Sequence, residues 1–224
     1  SRWITNQAYR WLCFEPDPRL EAIGWATIGG AYPGTGISIR DWANPKTAAI
    51  WRLALRSWVA RQLGVYEYGG LESFVAERAA TSLRASAEDM APWLVAEMCG
   101  YRLEEAHTDR LVVRDLGEDT SYDVLDLGLT DEVRVGEHMI GRLVPVRTPP
   151  GLVFESRPVV VDPRTAREVS HCRGGGVMWL SAIWLAVEQG RMPLGFDFRN
   201  TSMVSCDLSP RVVRDMFARS VRTA

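Results

Sequence analysis

Lysine is almost missing from this chain: Lys46 is the only one among 26 basic residues, and arginine supplies the rest. No fold demands that bias, which matches the codon usage of a GC-rich bacterial genome. Its physical consequence is a set of cations that stay charged at any working pH and present a planar fork to carboxylates and phosphates. Cysteine and histidine are also scarce. The four cysteines, Cys13, Cys99, Cys172 and Cys206, include no C-x-x-C pair, which excludes a zinc ribbon or a thioredoxin-type redox pair. With no secretory signal ahead of them, reduced and mostly buried thiols of a cytoplasmic protein are expected. His107, His138 and His171 form no H-x-x-x-H or H-E-x-x-H pattern, so no metal site is expected. The longest apolar run, "GVMWLSAIWLAV", falls short of the roughly 20 residues a membrane span needs.

What is present is enough for a folded protein: 224 residues, 46% hydrophobic and 24% charged. The net charge of −2 hides a pattern. Residues 1–64 carry eight cations against Glu15, Asp17, Glu21 and Asp41, and residues 171–224 carry seven arginines against Glu188, Asp197, Asp207 and Asp215. Between them, residues 65–170 carry 20 acids and 11 arginines. Basic ends and an acidic middle imply pairing within the chain or charge matching with a partner.

The stretch from Trp3 to Asp41 reads as loop-rich, with turn signals at "EPDP" and "GGAYPGTG". A helix over 45–63 follows, N-capped by Asn44, opened by Pro45 and stopped by Gly64. "LESFVAERAATSLRAS" predicts a second helix, and "SAEDMAPWLVAEMCG" a third, ending near Gly100. From residue 107 to 161 the texture is β-branched: "RLVVRDL", "SYDVLDL", "HMIGRLVPV" and "GLVFESRPVVV" predict a small antiparallel sheet or barrel, with Pro145 and Pro158 at edges or bulges. Helices return over 162–224. Residues 177–189 are apolar on nearly all sides, which predicts burial, and a last helix from Ser209-Pro210 carries Val213, Met216, Phe217 and Val221 on one face. The expected fold is α+β: a mainly helical N-terminal region over 1–106, a β module over 107–161, and helices of 162–224 packed back on the N-terminal region in one compact unit.

Several motifs are near-misses. "SHCRGGGVMW" supplies His171, Cys172 and Gly175 of a cysteine-phosphatase loop, His-Cys-x-x-Gly-x-x-Arg, but Met178 stands where the arginine must clamp the phosphoryl oxygens. The lead-in "TAREVS" reads as helix, where that chemistry needs a strand. Gly29 and Gly34 have P-loop spacing, but Thr35-Gly36 replaces the required Lys-Ser/Thr, and a turn between two strands is expected there. His107 with Asp109 and Glu104 makes at most an exposed cluster. Asp115, Glu118, Asp119 and Asp123 lack the spacing and central glycine of a calcium loop. No G-x-S-x-G elbow occurs.

What remains is a tryptophan–arginine partnership. Trp3, Trp11, Trp25, Trp42, Trp51 and Trp58 lie in the basic first 60 residues. The helix over 45–63 sets Trp51 and Trp58 on one side and Arg52 and Arg56 on another, and Arg211 and Arg214 lie on the polar side of the last helix. These six residues are the expected binding surface. Tryptophan and arginine are the usual anchors of protein interfaces, and aromatics beside arginines also stack single-stranded bases. A non-catalytic binding or assembly module is therefore expected, with a protein partner or a second copy and no cofactor. Nucleic-acid binding and an enzyme without a legible motif are the alternatives.

Overall fold

The computed structural model describes residues 2–14, 17–31, 58–81, 84, 90–129 and 133–192. They fall into two compact units, one of residues 3–79 and one of residues 80–192 with Arg2. The fold is mixed α+β.

The first unit is helical where a loop-rich entry was expected. Helix α1 spans Arg2–Phe14 and buries Ile4, Thr5, Ala8, Tyr9, Leu12 and Cys13, pairs four residues apart that form one stripe. Its aromatic and arginine content conceals that period. Helix α2, Arg19–Ala31, starts behind Asp17, whose carboxylate accepts from the Arg19 backbone N–H at 2.9 Å and from its guanidinium. Gly29 and Gly30 are therefore helical, and residues 32–36 of the glycine-rich motif lie outside the described residues. Helix α3, Trp58–Gln62, is wholly buried and continues as a π-turn over Leu63–Glu67. Gly64, the predicted stop, lies within that turn. A Cβ there would sit 3.1 Å from Ile23 Cδ1, so the glycine permits close contact with α2 and does not end a helix. Helix α4 spans Gly70–Glu77, ending well before the predicted Ser86.

In the second unit, residues 86–89 of the predicted third helix lie outside the described residues, and the described remainder holds one helical turn, α5, Ala91–Leu94. Strand β1 follows over Cys99–Ala106, so the strands begin at Cys99 rather than at residue 107. The alternation Cys99, Tyr101, Leu103 explains this: a period of two places these three in the core and Arg102 in solvent. Strands β2 (Arg110–Asp115), β3 (Thr120–Leu125), β4 (His138–Gly141) and β7 (Val159–Val161) complete an antiparallel sheet in the order β3-β2-β1-β4-β7. Strands β5 (Leu143–Pro145) and β6 (Leu152–Phe154) form a separate two-stranded sheet, and β6 lies beside β3 without joining its ladder. Between the sheets sits the core of Cys99, Tyr101, Leu103, Leu111, Val113, Val124, Met139 and Phe154, with Tyr101 and Phe154 edge-on at 5.3 Å. Pro145 ends its short strand and Pro158 precedes edge strand β7, positions where no ladder N–H is lost.

Helix α6, Pro163–His171, covers the other face of the sheet at β1 and β4. Asp162 caps it by accepting from the backbone N–H groups of Arg164 and Thr165, and Pro163 occupies the first turn. The contact is a backbone one: a Cβ on Gly100 would stand 2.0 Å from the Ala166 carbonyl oxygen. After a 3-10 turn at Gly176–Met178, helix α7, Trp179–Glu188, packs on α6. These two helices belong to the unit of the sheet. Burial of α7 is also one-sided. Trp179, Leu180, Ile183 and Ala186 are inside, while Ser181 and Leu185 are exposed, as are Val177 and Met178 in the turn before it.

Candidate functional site

Of the six residues expected to form the binding surface, Trp51, Arg52, Arg56, Arg211 and Arg214 lie outside the described residues. Trp58 is described and only 2% exposed, so its ring is core and no stacking platform. The arginine–tryptophan pairing does occur, but at Trp11, with Arg19 and Arg78 guanidinium carbons 5.6 and 5.9 Å from its ring centroid and Phe74 beside it. Such contacts hold a helix pair together by about 0.5–1 kcal/mol each.

Groups capable of chemistry gather where α6 meets β1. Asp115, 1% exposed at the end of β2, accepts through Oδ1 from the backbone N–H of Gly117 (2.8 Å) and Glu118 (3.1 Å) and from the Cys99 thiol (3.3 Å). Its Oδ2 accepts from Arg173 Nη2 at 3.1 Å. Arg173 also holds Glu97 through Nε at 3.1 Å, and its Nη1 lies 2.8 Å from Glu118 Oε1 at an angle too oblique for a hydrogen bond. Tyr122 donates to the other oxygen of Glu118 at 2.6 Å. Ser170 Oγ accepts from Gly100 N at 3.0 Å and faces the Ala166 carbonyl at 3.1 Å.

This constellation is a joint between two elements. Burial pushes the Cys99 thiol up to about 11, with the Asp115 carboxylate adding to the shift against the opposing Ser170 hydrogen bond. At neutral pH it is a protonated, enclosed thiol and a poor nucleophile. Serine and aspartate each have backbone partners in the neighbouring turn, strand and helix, and the arginine meets the carboxylates of Asp115 and Glu97.

Residues His171 and Cys172 stand at the end of α6, as the helical lead-in "TAREVS" implies. A phosphatase thiol sits at a helix N-terminus, where the dipole favours the thiolate. Cys172 sits at the opposite pole, and burial together with the Glu168 charge raises its pKa. Gly174 and Gly176, with φ of +73° and +56°, make the reversal between α6 and α7 that only glycine adopts without strain.

A second charged region is the outward face of β1–β3. Arg110 pairs with Asp123 at 2.9 Å, Arg114 with Asp119 at 2.7 Å, and Glu104 accepts from Ser121 Oγ at 2.6 Å. His107 pairs with Glu105 at 3.0 Å and not with the expected Asp109 and Glu104. Among the described residues no group of three His, Cys, Asp or Glu side chains is placed to hold a metal ion. None of the helices described is long and apolar enough to cross a membrane. No protein-family model matches the chain, and no curated protein or solved structure matches it significantly.

Proposed function

We propose that the protein is a non-catalytic binding or assembly module that meets a protein partner, or a second copy of itself, through an arginine-bearing charged surface. One observation carries this reading: on the outward face of β1–β3, arginines alternate with carboxylates in exposed pairs such as Arg110–Asp123. Exposed pairs of this kind contribute only about 0–1 kcal/mol to a fold. Their pattern matters more to a partner, because complementary charge sets orientation and association rate. The reading is also supported by the engagement of Cys99, Asp115 and Ser170 with one another and with backbone groups at the α6–β1 joint.

A photo-crosslinking amino acid at Asp123, compared with one at the exposed turn residue Thr148, tests this in cells. A discrete adduct from position 123 that Arg110→Glu removes is the expected result. Equal, diffuse labelling at both positions overturns it. The nucleic-acid alternative rests on Arg52 and Arg56. It predicts micromolar binding to fluorescent DNA or RNA that weakens steeply with salt and again in the Arg52/Arg56→Ala variant.

A further inference from the structure

Two arginines of the sheet unit stand apart from the ion pairs around them. Arg102 on β1 and Arg167 on α6 are both exposed, and among the described residues neither guanidinium takes part in a hydrogen bond or ion pair. Three carboxylates of the same region are already engaged by other groups. Glu104 is held by Ser121 and Arg114, Asp162 by the start of α6 and by Arg191, and Glu168 by Arg164 and Arg191.

His138 lies between the two arginines. In the ladder it is the direct partner of Arg102 on one side and of Val161 on the other, so its ring is on the face that α6 covers. Directly paired residues of antiparallel strands have Cβ atoms about 5 Å apart, which brings Arg102 to the ring. Helix α6 begins just after Val161, and Arg167 follows Ala166, the residue that touches β1 at Gly100. The ring is half-buried in this corner. Burial and the nearby Arg102 and Arg167 charges lower its pKa, in that order. Asp162 and a hydrogen bond with the Gly136 backbone oppose them. Burial is the larger cause, and the two guanidinium charges act in the same direction.

We propose that Arg102, Arg167 and His138 form a binding site for a doubly charged oxyanion of the phosphate type. Two guanidinium forks suit the several oxygens of a phosphate, which accepts paired charge-assisted hydrogen bonds. The imidazole adds a third donor when the anion stabilises its protonated form. A carboxylate has one charge and two oxygens, too few for two forks and a ring. The anion is free phosphate or a phosphate ester carried by another molecule, and this site stands whether or not the β1–β3 face meets a protein.

The test follows the ring protons of the full chain's three histidines by NMR across pH, with His138→Gln to assign the signal. In inorganic phosphate the His138 titration midpoint is expected to rise relative to chloride at equal ionic strength, while His107 and His171 stay put. The Arg102→Ala/Arg167→Ala variant should keep its fold, since both side chains are exposed, and weaken phosphate binding by about tenfold or more. Phosphoserine acting at lower concentration than inorganic phosphate places the anion on a phosphorylated side chain; the reverse makes it free phosphate. An equal response to acetate overturns the assignment, as does a phosphate effect that survives the double substitution or is the same at all three histidines.

Discussion

Replacing Gly100 with alanine adds one methyl group at the point where the sheet unit has no room for it. The new Cβ would be 2.0 Å from the Ala166 carbonyl oxygen, 2.6 Å from its carbon and 2.9 Å from Ser170 Oγ. An ordinary carbon–oxygen contact needs more than a further ångström, and the two nearest atoms in the way are helix backbone, which has no rotamer to escape into. Helix α6 must lift from β1. That breaks the bond from Gly100 N to Ser170 Oγ, at about 1 kcal/mol, and adds an overpacking cost of about 1–3 kcal/mol. The expected loss is about 3 kcal/mol, read as a lower urea midpoint at unchanged slope. Gly128→Ala is the control: its φ of +88° is unfavourable for alanine, but nothing lies within 4 Å of the new Cβ. It should cost only about 1–2 kcal/mol. If Gly100→Ala is no worse than Gly128→Ala, the close backbone contact between α6 and β1 is refuted.

Three other outcomes are expected. Arg173→Ala leaves Asp115 buried with three remaining donors, and since Arg173 is itself 29% exposed the loss should be about 2 kcal/mol, below the 3–5 of a fully buried pair; adding Asp115→Asn should recover some of it in a double-mutant cycle, and strict additivity would deny the coupling. Cys99, with a folded value of about 11 against an ordinary 9.0, keeps its proton while the unfolded thiol loses it, so its share of stability is intact below pH 9 and lost as pH rises towards 11, by about 2–3 kcal/mol in all; Cys99→Ala should remove that share of the alkaline loss, and an unchanged alkaline limb would contradict the burial. For His138 the sign is opposite: its pKa is lowered from 6.5, the unfolded chain takes up the proton first, and stability falls as pH drops below 6.5, a dependence that His138→Gln should flatten in urea melts at pH 5 and 7.

The β-branched runs after residue 107 predict an antiparallel sheet because a period of two survives any tertiary context that buries one face. Strand β1 escapes such a reading because "CGYRLEEA" follows a proline- and tryptophan-bearing helical stretch, and Arg102 and Glu104 are compatible with either period. The helices of residues 2–31 are hidden by composition, since turn-forming pairs and glycines outweigh the regular placement of Ile4, Ala8 and Leu12. The abundance of arginine is legible in the sequence. Which arginines are committed is not: Arg173 gathers three carboxylates, whereas among the described residues Arg102 and Arg167 take part in no ion pair, a difference that depends on strand register and helix placement.

Both arginine environments depend on the same helix. Helix α6 carries Arg167 near its middle, and Arg173 follows just beyond its C-terminal end. Its distance from β1 is set at Gly100, within two residues of the strand positions paired with Asp115 and His138. A helix of nine residues moves as a rigid rod of about 14 Å, so a displacement at Gly100 reaches both ends. Gly100→Ala should therefore do more than lower stability. In the fraction that remains folded, the His138 titration should move towards the ordinary histidine value as Arg167 and the burying helix withdraw, and phosphate should shift it less. Urea melts and the ring titration on one variant read the two ends of the helix separately. A destabilised Gly100→Ala protein with an unaltered His138 midpoint would mean that α6 adjusts locally at Ala166 and Ser170, and that the corner is held by Asp162 and Arg191 independently of the joint.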